Sequence, residues 1–239
     1  MRTSILILLT GFISLFVNGV RANIQTSDYL SDLDKSIYIE YATMKMEMLK
    51  NNKVVRYYDM EFYRSDSKMR MEFTAPASEK GRRMLNDNSS LWMYLPRTSK
   101  VIKLPFKQSF MGSDASNADL MRLCFKNDYE IVNITDKGNA IVQLELKAKD
   151  LEVAYSKVIL LYDTKRKVPI EQEMFSLSNK LIKTMFYEDI MKIGDTYIPC
   201  TIRIKEELQK NTETKMYYTN IKKENTKPAE FFTLGSLRR

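Results

Sequence analysis

The sequence predicts a mostly β protein: one large antiparallel sheet, strongly curved or closed. Three observations carry this. Apolar residues recur with period two in run after run, short turns rich in Asn, Asp, Ser and Gly separate the runs, and helical spacing is confined to two short stretches. With 44% apolar residues and only 7 Gly and 6 Pro in 239 residues, no low-complexity segment or dividing linker stands out.

The chain opens on Arg2, an almost continuous apolar run from Ile5 to Val17, and Val20-Arg21-Ala22 with small residues flanking Arg21. That is the grammar of a secretory signal peptide cleaved after Ala22, and the run is well short of the roughly 20 residues that span a bilayer. Residues 1–22 are therefore expected to be removed. Residues 23–239 are expected to form a single soluble domain outside the cytoplasm. Residues 26–36, with Tyr29, Leu30 and Leu33 at helical spacing, predict a short amphipathic helix.

From there the period changes to two. Ala42, Met44, Met46 and Met48 alternate with Thr43, Lys45 and Glu47; Tyr58, Met60 and Phe62 with Asp59 and Glu61; Met69, Met71 and Phe73 with Arg70 and Glu72. Each run predicts a half-buried strand, and Asn51-Asn52 and Ser65-Asp66-Ser67 supply the turns. Further strands are predicted at 90–95, 101–104, 129–134, 140–147, 157–162, 169–175, 181–187, 197–204 and 215–221. The stretch 114–124, with Asp114 or Ser116 as cap before Ala118, Leu120, Met121 and Cys124, is the main helical candidate in the middle.

The chain contains no His. That excludes a Ser-His-Asp or Cys-His arrangement, a His-ligated zinc site and a His general base. No nucleophile elbow, Walker loop or Rossmann glycine fingerprint is present. Carboxylate pairs such as Glu206-Glu207 or Asp59 and Glu61 have nothing to set them apart from ordinary charged strand faces. An enzyme is not expected, nor a cofactor or metal. The net charge of +8 falls to +6 once Arg2 and Arg21 leave with the leader. The basic residues are spread along strands, which fits solvated faces better than a nucleic-acid patch. Cys124 and Cys200 leave two readings open: a disulfide formed after export, or two unpaired buried thiols.

Methionine is the positive signal. Of 15, ten lie between Met44 and Met121, mostly on the apolar side of alternating strands. A flexible, polarisable lining suits apolar partners of variable shape, and also suits an ordinary core. The residues assigned to a lipid-accepting face are Met44, Met46, Met48, Met60, Phe62, Met69, Met71, Phe73, Trp92 and Tyr94. Phe110 and Met111, beside Gly112 in an irregular loop, are assigned to a lid or rim; folding back onto the core is the alternative. On this facing, Met46→Asp and Met71→Asp disrupt the protein, whereas Lys45→Asp and Arg70→Asp are milder.

Several of these pieces resemble the LolA-like group of periplasmic lipoprotein-sorting proteins. The matching motifs are Leu91-Trp92-Met93-Tyr94-Leu95-Pro96, Lys80-Gly81 before it, Phe110-Met111-Gly112-Ser113-Asp114 followed by Asp119-Leu120, and the closing Pro228-Ala229-Glu230-Phe231-Phe232-Thr233. The resemblance implies an incomplete, half-open antiparallel β-barrel with short helices covering its concave apolar face. It implies a periplasmic carrier of acylated lipoprotein or lipid, receiving cargo from an inner-membrane transporter and handing it to an outer-membrane acceptor, with transient membrane contact. A role as periplasmic accessory of a membrane exporter is the alternative that the same resemblance implies. An Arg followed by Pro helps control the closed state in that group; Arg64 stands at the matching place, with Ser65 instead of Pro.

Overall fold

The computed structural model describes residues 26–121, 124–209, 211–224 and 226–239. The expected signal peptide lies outside the described residues. The chain starts with helix α1 (Thr26–Ser36), whose Leu30 and Leu33, followed by Ile37, place one apolar stripe against the sheet. Strands β1 (Tyr41–Lys50), β2 (Lys53–Ser65), β3 (Lys68–Ala75), β4 (Arg83–Asn86), β5 (Leu91–Leu95) and β6 (Lys100–Leu104) follow as a meander. After a 24-residue connection (105–128) come β7 (Tyr129–Gly138), β8 (Ile141–Ala148), β9 (Lys157–Asp163), β10 (Val168–Phe175), β11 (Leu181–Ile193), β12 (Thr196–Glu206) and β13 (Thr212–Lys222).

All thirteen strands belong to one sheet in the order β6-β5-β4-β3-β2-β1-β13-β12-β11-β10-β9-β8-β7, antiparallel throughout. The pairing of β1 with β13 joins the two meanders at the centre and leaves β6 and β7 as open edges. The sheet is not closed into a barrel, as the resemblance implies; the strand pattern alone leaves closure open. At the β1–β2 turn both Asn51 and Asn52 have positive φ (50° and 60°), the conformation a two-residue hairpin demands and Asn tolerates.

Register lines up the concave face. Phe62 pairs with Met71, Met71 with Met84 and Met84 with Met93, a row of apolar side chains across four strands. Met44 pairs with Met60 on one side and Tyr218 on the other, and Met46 faces Met216. All of these except the half-buried Tyr218 are nearly solvent-free and belong to the main core.

The convex face is also covered in part. Two 3₁₀ turns near the C-terminus (Ala229–Phe232 and Gly235–Arg238) pack Phe232 and Leu237 against Tyr63, Leu85, Trp92 and Tyr94. Arg70 is buried beneath them, its guanidinium 4.0 Å from the Phe231 ring centroid and bonded to the Phe231 carbonyl at 2.8 Å. The facing reading is corrected here: Arg70 is as deeply buried as Met71, because the C-terminal segment covers the face that alternation assigned to water.

β4 was not expected, since Asn86 read as part of a turn. Where a helix is expected over 114–124, the described residues give α2 (Asn117–Met121), and a further short helix, α3 (Phe125–Asp128), lies beyond that range. Both cysteines are unpaired; Cys200 is buried and Cys124 half-buried. No helix among the described residues is long and apolar enough to cross a membrane.

Candidate functional site

The connection between the two edge strands lies across the concave face. Its first turn is a tight excursion, Ser109 to Ser116, with Met111 and Gly112 both at positive φ (53° and 78°) and Phe110 donating its N–H to the Ala115 carbonyl at 2.8 Å. That turn drives Phe110 into the core, fully buried and stacked on Phe73 with ring centroids 6.1 Å apart and planes 11° off parallel. Residues 105–128 therefore act as a plug.

Side chains, not strand pairing, hold this plug to the sheet. The Asp114 carboxylate accepts hydrogen bonds from Thr212 and Thr214 of β13, each at 2.7 Å, and the Asp114 N–H donates to the Thr214 hydroxyl at 3.0 Å. Asn86 of β4 donates to the Met121 carbonyl at 2.6 Å. Ser116 caps α2: its hydroxyl accepts the Asp119 N–H at 3.2 Å while its own N–H donates to the Asp119 carboxylate at 2.6 Å, a capping box.

The same Asp119 makes the strongest contact. Lys183 of β11 points inward and places Nζ 2.7 Å from Asp119 Oδ2 and 2.9 Å from the Tyr155 hydroxyl, which itself donates to Asp119 Oδ1 at 2.9 Å. The Asp119 and Lys183 side chains are only 3% and 5% exposed. Burial, then the neighbouring Asp119 charge, raises the Tyr155 pKa well above its usual value, so the phenol stays a donor.

Space is left beside the plug. An apolar cavity of about 60 Å³ lies between Leu120, the α1 exit (Ile37, Ile39) and the strands β2 and β10–β13, lined by Phe62, Met185, Tyr187, Ile198, Met216 and Tyr218. A second of about 50 Å³ lies on the other side of Asp119, by Phe106, Phe125 and Tyr129. One probe sphere of water needs roughly 10–15 Å³, so each holds a few small groups and neither holds a long chain while the plug is seated.

The cavity opens toward Arg64, which is buried with its guanidinium 4.6 Å from the Tyr38 ring centroid; burial lowers its pKa, opposed by Tyr38 and Asp34. Asp34 of α1 accepts the backbone N–H groups of Phe125 and Lys126 at 2.7 and 3.1 Å, tying α1 to α3. Burial raises the pKa of this carboxyl, against the pull of those two bonds.

The fold superposes on solved structures. A LolA superfamily protein from Nitrosomonas europaea matches with TM-score 0.77 and 23% identity over 88% of this chain and 98% of that one. A domain described as outer membrane lipoprotein-sorting, from Vibrio parahaemolyticus, matches with TM-score 0.76 and 19% identity over 90% and 98%. A family model described only as an uncharacterized protein matches residues 65–239. The chain belongs to that family, and its fold is LolA-like. No curated protein matches it.

Within this LolA-like fold, Met44, Met46, Met60, Phe62, Met69, Met71 and Phe73 all sit on the concave face, buried, with Met48 partly buried beside them. Of these, only Phe62 lines the cavity of about 60 Å³, and Met69 lines a separate one of about 350 Å³, set mostly among polar residues beside Arg64 and Asp34; Phe110 packs directly on Phe73. Trp92 and Tyr94 are a correction. They point to the convex face, Trp92 donating to Asp87 at 2.9 Å and Tyr94 lying under the Arg83 guanidinium, while Leu91 and Met93 face inward. β5 is apolar on both faces because the C-terminal turns cover the outer one, so alternation gives no facing there. Phe110 is the buried knob of the plug, and Met111 remains at its rim, its sulfur 3.4 Å from the Arg82 guanidinium. Sequence reasoning missed Met185, Tyr187, Met216 and Tyr218. Their strands were legible, but the methionine count drew attention to the N-terminal half.

Proposed function

We propose that the chain is a periplasmic carrier that shields the acyl chains of a lipoprotein or lipid between its concave face and the plug during transfer toward the outer membrane. The observation that carries this is a methionine-rich apolar face occupied by a segment held there by side chains. Among the described residues its one backbone bond to the strand connections runs from the Lys149 N–H to the Asp128 carbonyl, at its far end. A paired strand would need a row of backbone bonds broken before it could leave. The plug needs the loss of a few contacts around Asp114, Asp119 and Phe110.

Magnitudes favour exchange. An acyl chain yields about 0.8 kcal/mol per buried CH₂, so a dozen methylenes supply on the order of 10 kcal/mol. Breaking into one buried ion pair costs about 3–5 kcal/mol. With the apolar burial of Phe110, Leu120 and Met121 added to that pair, cargo and plug are of comparable weight, and the plug's return lowers the cost of release because both compete for one face. No covalent step or cofactor is required. Export rests on the leader grammar of residues 1–22, and the sorting role draws on the likeness to the Vibrio parahaemolyticus domain.

A reversible lock tests the reading. In a Cys124→Ser, Cys200→Ser background, Asp114→Cys with Thr214→Cys joins the plug to β13 on oxidation. A fluorescent fatty-acyl probe is expected to bind the reduced form and to be excluded from the oxidised one. Equal binding by both forms would sink the proposal.

A further inference from the structure

Five of the nine large non-aromatic apolar side chains exposed among the described residues gather at hairpin tips, while Ile102, Val132, Met191 and Leu234 lie elsewhere. Val54 and Val55 are 50% and 62% exposed just after the β1–β2 turn, Leu151 is 74% exposed between β8 and β9, Leu177 79% between β10 and β11, and Leu208 53% between β12 and β13. Because every neighbouring pair is antiparallel, these four connections all lie at one end of the sheet. Direct contacts join them: the Asn51 N–H donates to the Asn211 carbonyl at 2.9 Å, and the Glu207 N–H to the Ile182 carbonyl at 2.8 Å. Leu151 and Leu177 share one cleft of about 360 Å³ with Lys107, whose ammonium bonds the Leu151 carbonyl at 3.0 Å.

Charge accompanies these tips. Lys50, Lys53 and Arg56 surround the first with no acid between residues 50 and 58, Lys147 and Lys149 precede Leu151, and Lys180 follows Leu177. The acids nearby are Asp128, Glu130 (3.8 Å from the Lys147 ammonium), Asp150, Glu152, Glu206, Glu207 and Glu213, so the uncompensated positive charge is concentrated at Lys50, Lys53 and Arg56. Isolated aliphatic tips set among lysines suit a lipid headgroup layer, where the tips enter the acyl boundary and the ammonium groups meet phosphate. A protein partner more often meets a contiguous patch with aromatic anchors. The plug's tip emerges at this same end, with Arg56 donating to the Met111 carbonyl at 3.3 Å.

We propose that this rim docks on an anionic phospholipid bilayer, with the hairpin tips of β1–β2, β8–β9, β10–β11 and β12–β13 at headgroup depth. The geometry stands apart from the carrier reading, which supplies only its purpose: docking brings the mouth of the plug to the membrane.

The test is co-sedimentation of the protein, recovered from cells expressing the full chain, with vesicles containing phosphatidylglycerol or made of phosphatidylcholine alone. Binding to the first is expected to exceed binding to the second and to fall with added salt. Leu151→Asp with Leu177→Asp, and separately Lys50→Glu with Lys53→Glu, are each expected to weaken it about tenfold. Each pair should keep the circular dichroism spectrum and acyl-probe binding in solution. Absence of vesicle binding, equal binding to neutral vesicles, or indifference to both pairs overturns the proposal. Vesicle binding that persists when the acyl probe fails to bind would sink the carrier reading and leave the rim standing.

Discussion

Lys183 is a charge placed at a buried strand position, between Leu181 and Met185, and it is tolerated because Asp119 and Tyr155 meet it. Removing one partner strands the other in the core. Lys183→Met and Asp119→Asn are each expected to destabilise the fold by about 3 kcal/mol, and the double variant by clearly less than their sum. Urea denaturation of the four proteins measures that coupling; simple additivity would show that the pair does not act as one unit. Arg70 belongs to the same scale. Arg70→Asp is expected to cost at least about 3 kcal/mol, whereas Lys45→Asp, at an exposed position, stays within about 1 kcal/mol. In sequence both basic residues alternate with methionine and look alike. Only the C-terminal segment, about 160 residues away in the chain, distinguishes them.

At the scale of elements, the plug is where local signals and tertiary structure part. Residues 114–124 carry a capping residue and helical spacing; among the described residues the helix starts only at Asn117, because Asp114 is drawn to β13 and Phe110 to Phe73. The capping box of Ser116 and Asp119 does form. Phe110→Ala is expected to lose about 3–5 kcal/mol of stability by leaving a cavity under the plug. Acyl-probe affinity is expected to rise or hold, since a looser plug competes less. Thermal denaturation reads the first and fluorescence titration the second; a stability loss with equally lost probe binding would place Phe110 in the cargo's own contacts. For the strands, legibility followed exposure. β1, open to water outside, announced itself by alternation, and β3 did so because its covered outer face still carries charged residues (Arg70, Glu72), while β5, apolar and covered on both faces, hid its facing and led to Trp92 and Tyr94.

For the whole molecule, the buried tyrosines set an alkaline limit. Tyr155, Tyr162 and Tyr187 all have phenol pKa values raised above 10.0, mainly by burial. The native protein therefore holds protons that the unfolded chain releases once pH passes about 10. Fewer protons on the unfolded chain means that stability falls as pH rises through that point, with no contribution from these groups below it. Denaturation midpoints are expected to be flat with respect to these phenols up to about pH 9 and to drop above 10; a midpoint unchanged at pH 11 would contradict their burial. By itself the sequence determined the leader grammar, the run of strands and turns, helix α1 and the apolar parity of the first three strands, because each is written in neighbouring residues and in period two. The tertiary structure alone decided the joining of β1 to β13, the seating of the plug on Asp114 and Asp119, the covering of Arg70 and the gathering of exposed tips at one rim. Those depend on contacts between residues tens to well over a hundred positions apart, and no local period records them.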